Sequence, residues 1–134
     1  MARASIPDAL EMTRVKYGPD TPVEEKDRVA AALRQAGRIH EAILLYDGRA
    51  DHPALQDDFR WAVSEGSSYV LFALRRLGLS VTDEQRRACA EAAERKGRWY
   101  DSHRLYEVLQ DAAALERVRA QIPSYKTAVP DNKA

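Results

Sequence analysis

Few residues in this chain could carry chemistry. His103 and Glu107 stand four positions apart, which on a helix puts them on one face, near enough to share a proton or a metal ion. One such pair falls short of the three or four ligands that hold a metal, so an ion pair or a satisfied surface histidine is expected. His40 and His52 are the other two histidines; His40 lies on the corresponding helix but at a place not equivalent to His103. Cys89 and a distant histidine would suit a thiol nucleophile. However, Cys89 lies in a stripe of small residues with Ala88, Ala92 and Ala93, where a small buried apolar side chain is expected. Asp57 and Asp58 are adjacent, so on a helix they diverge and cannot work as an acid/base pair. No glycine-rich phosphate loop, nucleophile elbow or metal motif occurs. The residues therefore nominate no catalytic group, no cofactor and no metal.

Charge offers one further site. Arg75-Arg76, Arg86-Arg87 and Arg95-Lys96 with Arg98 could form a basic ridge for RNA or another anionic partner. Asp83, Glu84, Glu91, Glu94 and Asp101 are interleaved with them, and helical pairing such as Glu91 with Arg95 would absorb much of that charge. Across all 134 residues, Lys plus Arg and Asp plus Glu both total 21, for a formal net charge of zero. A binder of phosphate backbones would usually carry a basic excess, so nucleic acid is the disfavoured alternative.

These residues must be positioned by helices. Ala, Leu, Arg and Glu are abundant and β-branched residues sparse, which favours an all-α chain. A single cysteine forms no internal disulfide, and no stretch approaches the roughly 20 apolar residues of a membrane span. A soluble cytoplasmic protein is expected, with no membrane partner, and the Ala, Arg and Asp richness resembles that of high-GC bacteria.

The strongest organising feature is an internal repeat. Gly37-Arg38-Ile39-His40-Glu41-Ala42-Ile43-Leu44-Leu45-Tyr46-Asp47 is echoed from position 97, sixty positions on, by Gly97-Arg98-Trp99-Tyr100-Asp101-Ser102-His103-Arg104-Leu105-Tyr106-Glu107. Before the first copy, Thr21 suits an N-cap, Pro22 the first helical position and Glu24 the third, and Gly37 suits the residue after the helix. The first copy then predicts a helix ending near Gly48. Leu55, Phe59, Ala62 and Val63 mark the next helix, Gly66-Ser67-Ser68 breaks it, and Tyr69 to Leu77 follows, apolar on nearly all sides. Thr82 and Gln85 form a capping box for a helix over 83–96, the second copy runs to about Leu109, and a last helix spans 112–121. An arm or short helix over 1–20, a helical domain over 21–122 and a flexible tail over 123–134 result, with about seven to eight helices.

In the first and last hairpins these residues resemble the tetratricopeptide-type helical repeat (TPR). Ala30 and Ala90 fall at its small first-helix place, Gly37 and Gly97 at the turn, Ile39 and Trp99 at the next large residue, Ala42 and Ser102 at the second small place, and Tyr46 and Tyr106 at the aromatic. Val70, Ala73, Leu74 and Leu77 align with Ile39, Ala42, Ile43 and Tyr46, so the middle hairpin matches through its second helix. The spacing is shorter than the family's roughly 34 residues, Arg49 replaces a usual alanine, and the usual first-helix tryptophan is absent.

The resemblance implies a right-handed array of antiparallel helical hairpins, an α-solenoid. It also implies a non-catalytic interaction module or scaffold that takes another protein or peptide on its first-helix face. That face would carry Glu24, Asp27, Arg34 and Gln35 in the first hairpin and Glu84, Arg87, Glu91, Glu94 and Arg95 in the last. Glu91 stands where the family's carboxylate clamp has asparagine, so an anionic peptide end would be repelled. Short arrays with weak caps also tend to associate with their own kind.

Overall fold

A computed structural model describes residues 8–17 and 21–123. The described residues contain eight helices and no strand: α1 (Ala9–Tyr17), α2 (Val23–Gln35), α3 (Ile39–Leu44), α4 (Ala54–Glu65), α5 (Ser68–Leu77), α6 (Asp83–Arg95), α7 (Trp99–Leu109) and α8 (Ala112–Arg119). None of them is long and apolar enough to cross a membrane. The expected tail beyond Pro123, the start of the expected arm and the Gly18-Pro19-Asp20 break lie outside the described residues.

The chain falls into two compact units. One comprises the described residues up to Asp58 with Ala73–Leu79, the other Phe59–Phe72 with the described residues from Ser80 onward. In the first unit α2 packs on α3, and α1 lies against α2. Val29, Ala30 and Leu33 of α2 and Ala42 and Ile43 of α3 are buried. In the second unit α6 packs on α7 and α7 on α8, burying Cys89, Ala90, Ala92, Ala93, Leu105, Tyr106, Ala114 and Val118. The four small residues at matching places, Ala30, Ala42, Ala90 and Ser102, are all fully buried, and their size permits close helix approach.

The two repeat copies turn the chain identically. At Gly37 (φ +78°) the Arg38 N–H donates to the Leu33 carbonyl at 2.8 Å and the Gly37 N–H to Arg34 at 3.0 Å. At Gly97 (φ +72°) the Arg98 N–H donates to Ala93 at 2.8 Å and the Gly97 N–H to Glu94 at 3.1 Å. This is the Schellman ending, and glycine supplies its left-handed residue without a Cβ clash. The capping box on α6 also forms, with Thr82 accepting from the Gln85 N–H and the Gln85 side chain accepting from the Thr82 N–H.

Four local expectations are corrected. Thr21 does not cap α2: Pro22 holds that place, and the Thr21 hydroxyl donates instead to the Arg14 carbonyl at the end of α1. The first repeat copy yields a short helix, because beyond Leu44 the chain tightens into turns toward Gly48 (φ +80°). α5 has a polar side, with Tyr69, Arg75 and Arg76 exposed. In the α6 stripe Cys89, Ala92 and Ala93 are buried as expected, but Ala88 is exposed and Ala90 packs inside in its stead.

Candidate partner-binding faces

The first-helix residues nominated above divide into those engaged by the fold and those left facing outward. In the first unit Arg34 is engaged. Its Nε and Nη2 donate to the two carboxylate oxygens of Asp58 at 2.9 and 2.6 Å, and its Nη1 donates to the Tyr46 hydroxyl at 3.0 Å. Asp58 is buried, so this bidentate pair is a structural tie. Asp27 accepts from Arg49 Nη1 at 2.7 Å, and Arg49 also donates to the Leu45 carbonyl and lies over the Tyr46 ring. That ring, Arg49 and His52 pack together, and His52 Nδ1 accepts from the Ala54 N–H at the start of α4. Arg49 is thus a working part of the unit.

The second unit repeats the plan with other charges. Glu94 accepts from the Tyr106 hydroxyl at 2.9 Å and from Arg117 Nε at 2.6 Å and Nη2 at 2.9 Å. Arg117 holds the Glu94 carboxyl below its ordinary range, while burial and then the Glu94 bond push the Tyr106 phenol up to about 12. Arg87 donates to Asp111, whose other oxygen caps α8 by accepting from the Ala114 N–H. These caps and cross-helix ties were missed from sequence, although an aspartate just before Ala112-Ala113-Ala114 is a cap signal.

Glu24, Gln35, Glu84, Glu91 and Arg95 remain exposed, and among the described residues no ion pair or side-chain hydrogen bond ties them down. The expected Glu91–Arg95 pair does not form; Glu91 lies instead in the field of Arg87. Asp83, Glu84, Arg87, Ala88 and Glu91 line a shallow groove of about 330 Å³ on α6. With Arg87 already facing Asp111, the groove presents an acidic rim.

The basic clusters are largely answered from within. Arg86 meets Asp83, Arg87 Asp111, Lys96 Glu65 and Arg98 Asp101. Arg98 and Asp101 do more: Arg98 Nη1 donates to the Glu65 carbonyl at 3.3 Å, and Asp101 Oδ1 accepts from the Ser68 N–H at 2.9 Å and its hydroxyl at 2.6 Å. Together they clamp the α4–α5 turn.

The reactive side chains are placed structurally. Cys89 is buried with its thiol against the Ala62 carbonyl, and burial pushes it up to about 12. His103 is buried rather than on the surface: Nδ1 lies 3.4 Å from Glu107, and Nε2 accepts from Arg119 at 3.1 Å, tying α7 to α8. Burial, then Arg76, keeps His40 below its ordinary value. Asp57 faces solvent while Asp58 is buried, so the adjacent carboxylates diverge. Among the described residues no three His, Cys, Asp or Glu side chains converge as metal ligands. Compared with family models, with curated proteins and with solved structures, the chain matches none.

Proposed function

We propose that this chain is a non-catalytic protein-interaction module, built as a TPR-like, right-handed array of antiparallel helical hairpins. The observation that carries the reading is the division of the first-helix residues. Arg34, Asp27, Arg87 and Glu94 are engaged by the fold, while Glu24, Gln35, Glu84, Glu91 and Arg95 face outward on the same two helices. A rigid hairpin that displays unengaged polar side chains is a ready docking surface.

The alternative, a nucleic acid or other polyanion on the Arg75–Arg98 ridge, is weakened by the carboxylates that face Arg86, Arg87, Lys96 and Arg98. Salt separates the two readings, because phosphate binding falls steeply with added salt. Pull-down of the tagged chain at low and high salt should retain a protein at both. Recovery of nucleic acid alone, and only at low salt, would move the function to the ridge.

A further inference from the structure

Arg38 and Glu41 stand sixty positions before Arg98 and Asp101, at the same two places of the repeat. The later pair grips a helix-to-helix turn, with the arginine on the carbonyl that ends α4 and the acid on the first N–H of α5. The earlier pair has the same internal bond, Arg38 Nε to Glu41 Oε1 at 2.7 Å, yet among the described residues it grips no turn. Both side chains are about two-fifths exposed, at 42% and 39%. The first unit thus carries a clamp of the same build with its outer contacts unfilled.

The complementary half is also on the chain. Gly66 and Gly97 occupy equivalent turn positions with φ of +77° and +72°, which sets Lys96 opposite Glu65 and Trp99 opposite Ser68. α5 has its first N–H held by Asp101, whereas among the described residues no side chain caps α7. Gly97 and Lys96 are exposed. A helix start without a cap would not by itself mark a site. Here the same junction is seen filled within the chain, which defines both the grip and what it holds.

We infer that the Arg38–Glu41 pair of one copy clamps the Lys96-Gly97-Arg98-Trp99 turn of a second copy, Arg38 on the Lys96 carbonyl and Glu41 on the Trp99 N–H. The contact joins unlike surfaces, so every open assembly keeps one free clamp at one end and one free turn at the other, and association continues until a ring closes. It does not involve the first-helix faces, so its failure and theirs are separately observable.

Sedimentation of the full chain over a range of concentrations tests this. The wild type should gain mass with concentration. Glu41→Ala should weaken association about ten- to a hundredfold, the value of one charge-assisted hydrogen bond. Glu41→Asp, which installs the acid found in the filled clamp, should retain it. Trp99→Pro removes the N–H at a position where proline suits a helix, and should also abolish growth. Mixing Glu41→Ala, which keeps its turn, with Trp99→Pro, which keeps its clamp, should restore a two-chain species that grows no further. A wild type that stays a single chain, association indifferent to Glu41→Ala, or folded variants that fail to pair on mixing would each overturn the inference. The Glu41→Ala and Glu41→Asp comparison decides it alone if Trp99→Pro does not fold.

Discussion

Arg34 and Glu94 stand three residues before the two repeat copies, carry opposite charge, and each hydrogen-bonds a buried tyrosine hydroxyl sixty positions from its counterpart, Tyr46 or Tyr106. The pairing partner changes sign with them, Asp58 for Arg34 and Arg117 for Glu94. The repeat therefore preserves a geometric role while exchanging the charges that fill it. What differs is burial, since Asp58 is 5% exposed at its side chain and Arg117 is 55% exposed.

That difference sets the first prediction. Asp58→Ala strands the Arg34 cation in a largely buried place and should cost about 3–5 kcal/mol. Arg117→Ala removes a solvent-screened partner and should cost about 0–1 kcal/mol. Urea unfolding of both variants measures the contrast, and equal losses would contradict it.

Glycine replacements should be equally uneven. At Gly66 an added Cβ would meet the Ala93 backbone N at 2.4 Å and Cα at 2.5 Å, at a positive φ, so α6 or the turn must shift. At Gly37 the φ is also positive, but nothing lies within 4 Å. Gly37→Ala should cost about 1–2 kcal/mol, the strain of the left-handed conformation alone. Gly66→Ala should cost about 1–3 kcal/mol more through overpacking. A Gly66→Ala variant as stable as Gly37→Ala would refute this packing.

The two clamps predict unequal losses from equivalent substitutions. Asp101→Ala leaves the Ser68 N–H and hydroxyl without their acceptor and should cost about 1–3 kcal/mol, with faster hydrogen exchange at the Ser68 amide. Glu41→Ala in the dilute single chain breaks only an exposed pair and should cost about 0–1 kcal/mol.

Alkaline pH should weaken the fold through two protonated groups. Burial raises the Cys89 thiol from 9.0 to about 12, and burial followed by the Glu94 bond raises the Tyr106 phenol from 10.0 to about 12. Because the folded values are the higher ones, the stabilisation is complete below pH 9 and is lost as pH rises toward about 12. Melting temperature should fall across that interval, and more gently in Cys89→Ala. Cys89 should also resist thiol reagents at pH 8 until the chain unfolds. Rapid labelling of the native protein would contradict its burial.

What could be read from sequence was what depends on near neighbours. The Schellman glycines at 37 and 97, the Thr82–Gln85 box and the register of the second repeat copy follow from residues three to five apart. The misreadings arose where distant groups compete. Thr21 has the side chain of a cap, but the Arg14 carbonyl takes its hydroxyl. α3 stops early because Arg49 reaches back to the Leu45 carbonyl and Gly48 turns the chain. The engaged half of the first-helix faces was not visible either, since Arg34 with Asp58 and Glu94 with Arg117 join residues 24 and 23 positions apart. His103 showed its Glu107 partner through spacing, whereas its burial depends on α8.

If the outward residues of α2 and α6 dock a protein, removing them must abolish its capture. A variant carrying Glu24→Ala, Gln35→Ala, Glu91→Ala and Arg95→Ala changes only exposed side chains, so its helical content and melting temperature should match the wild type within the effect of surface substitutions. Captured beside the wild type at high salt, it should lose the retained protein at least tenfold. Full retention by the folded variant would place docking elsewhere on the chain and contradict the account.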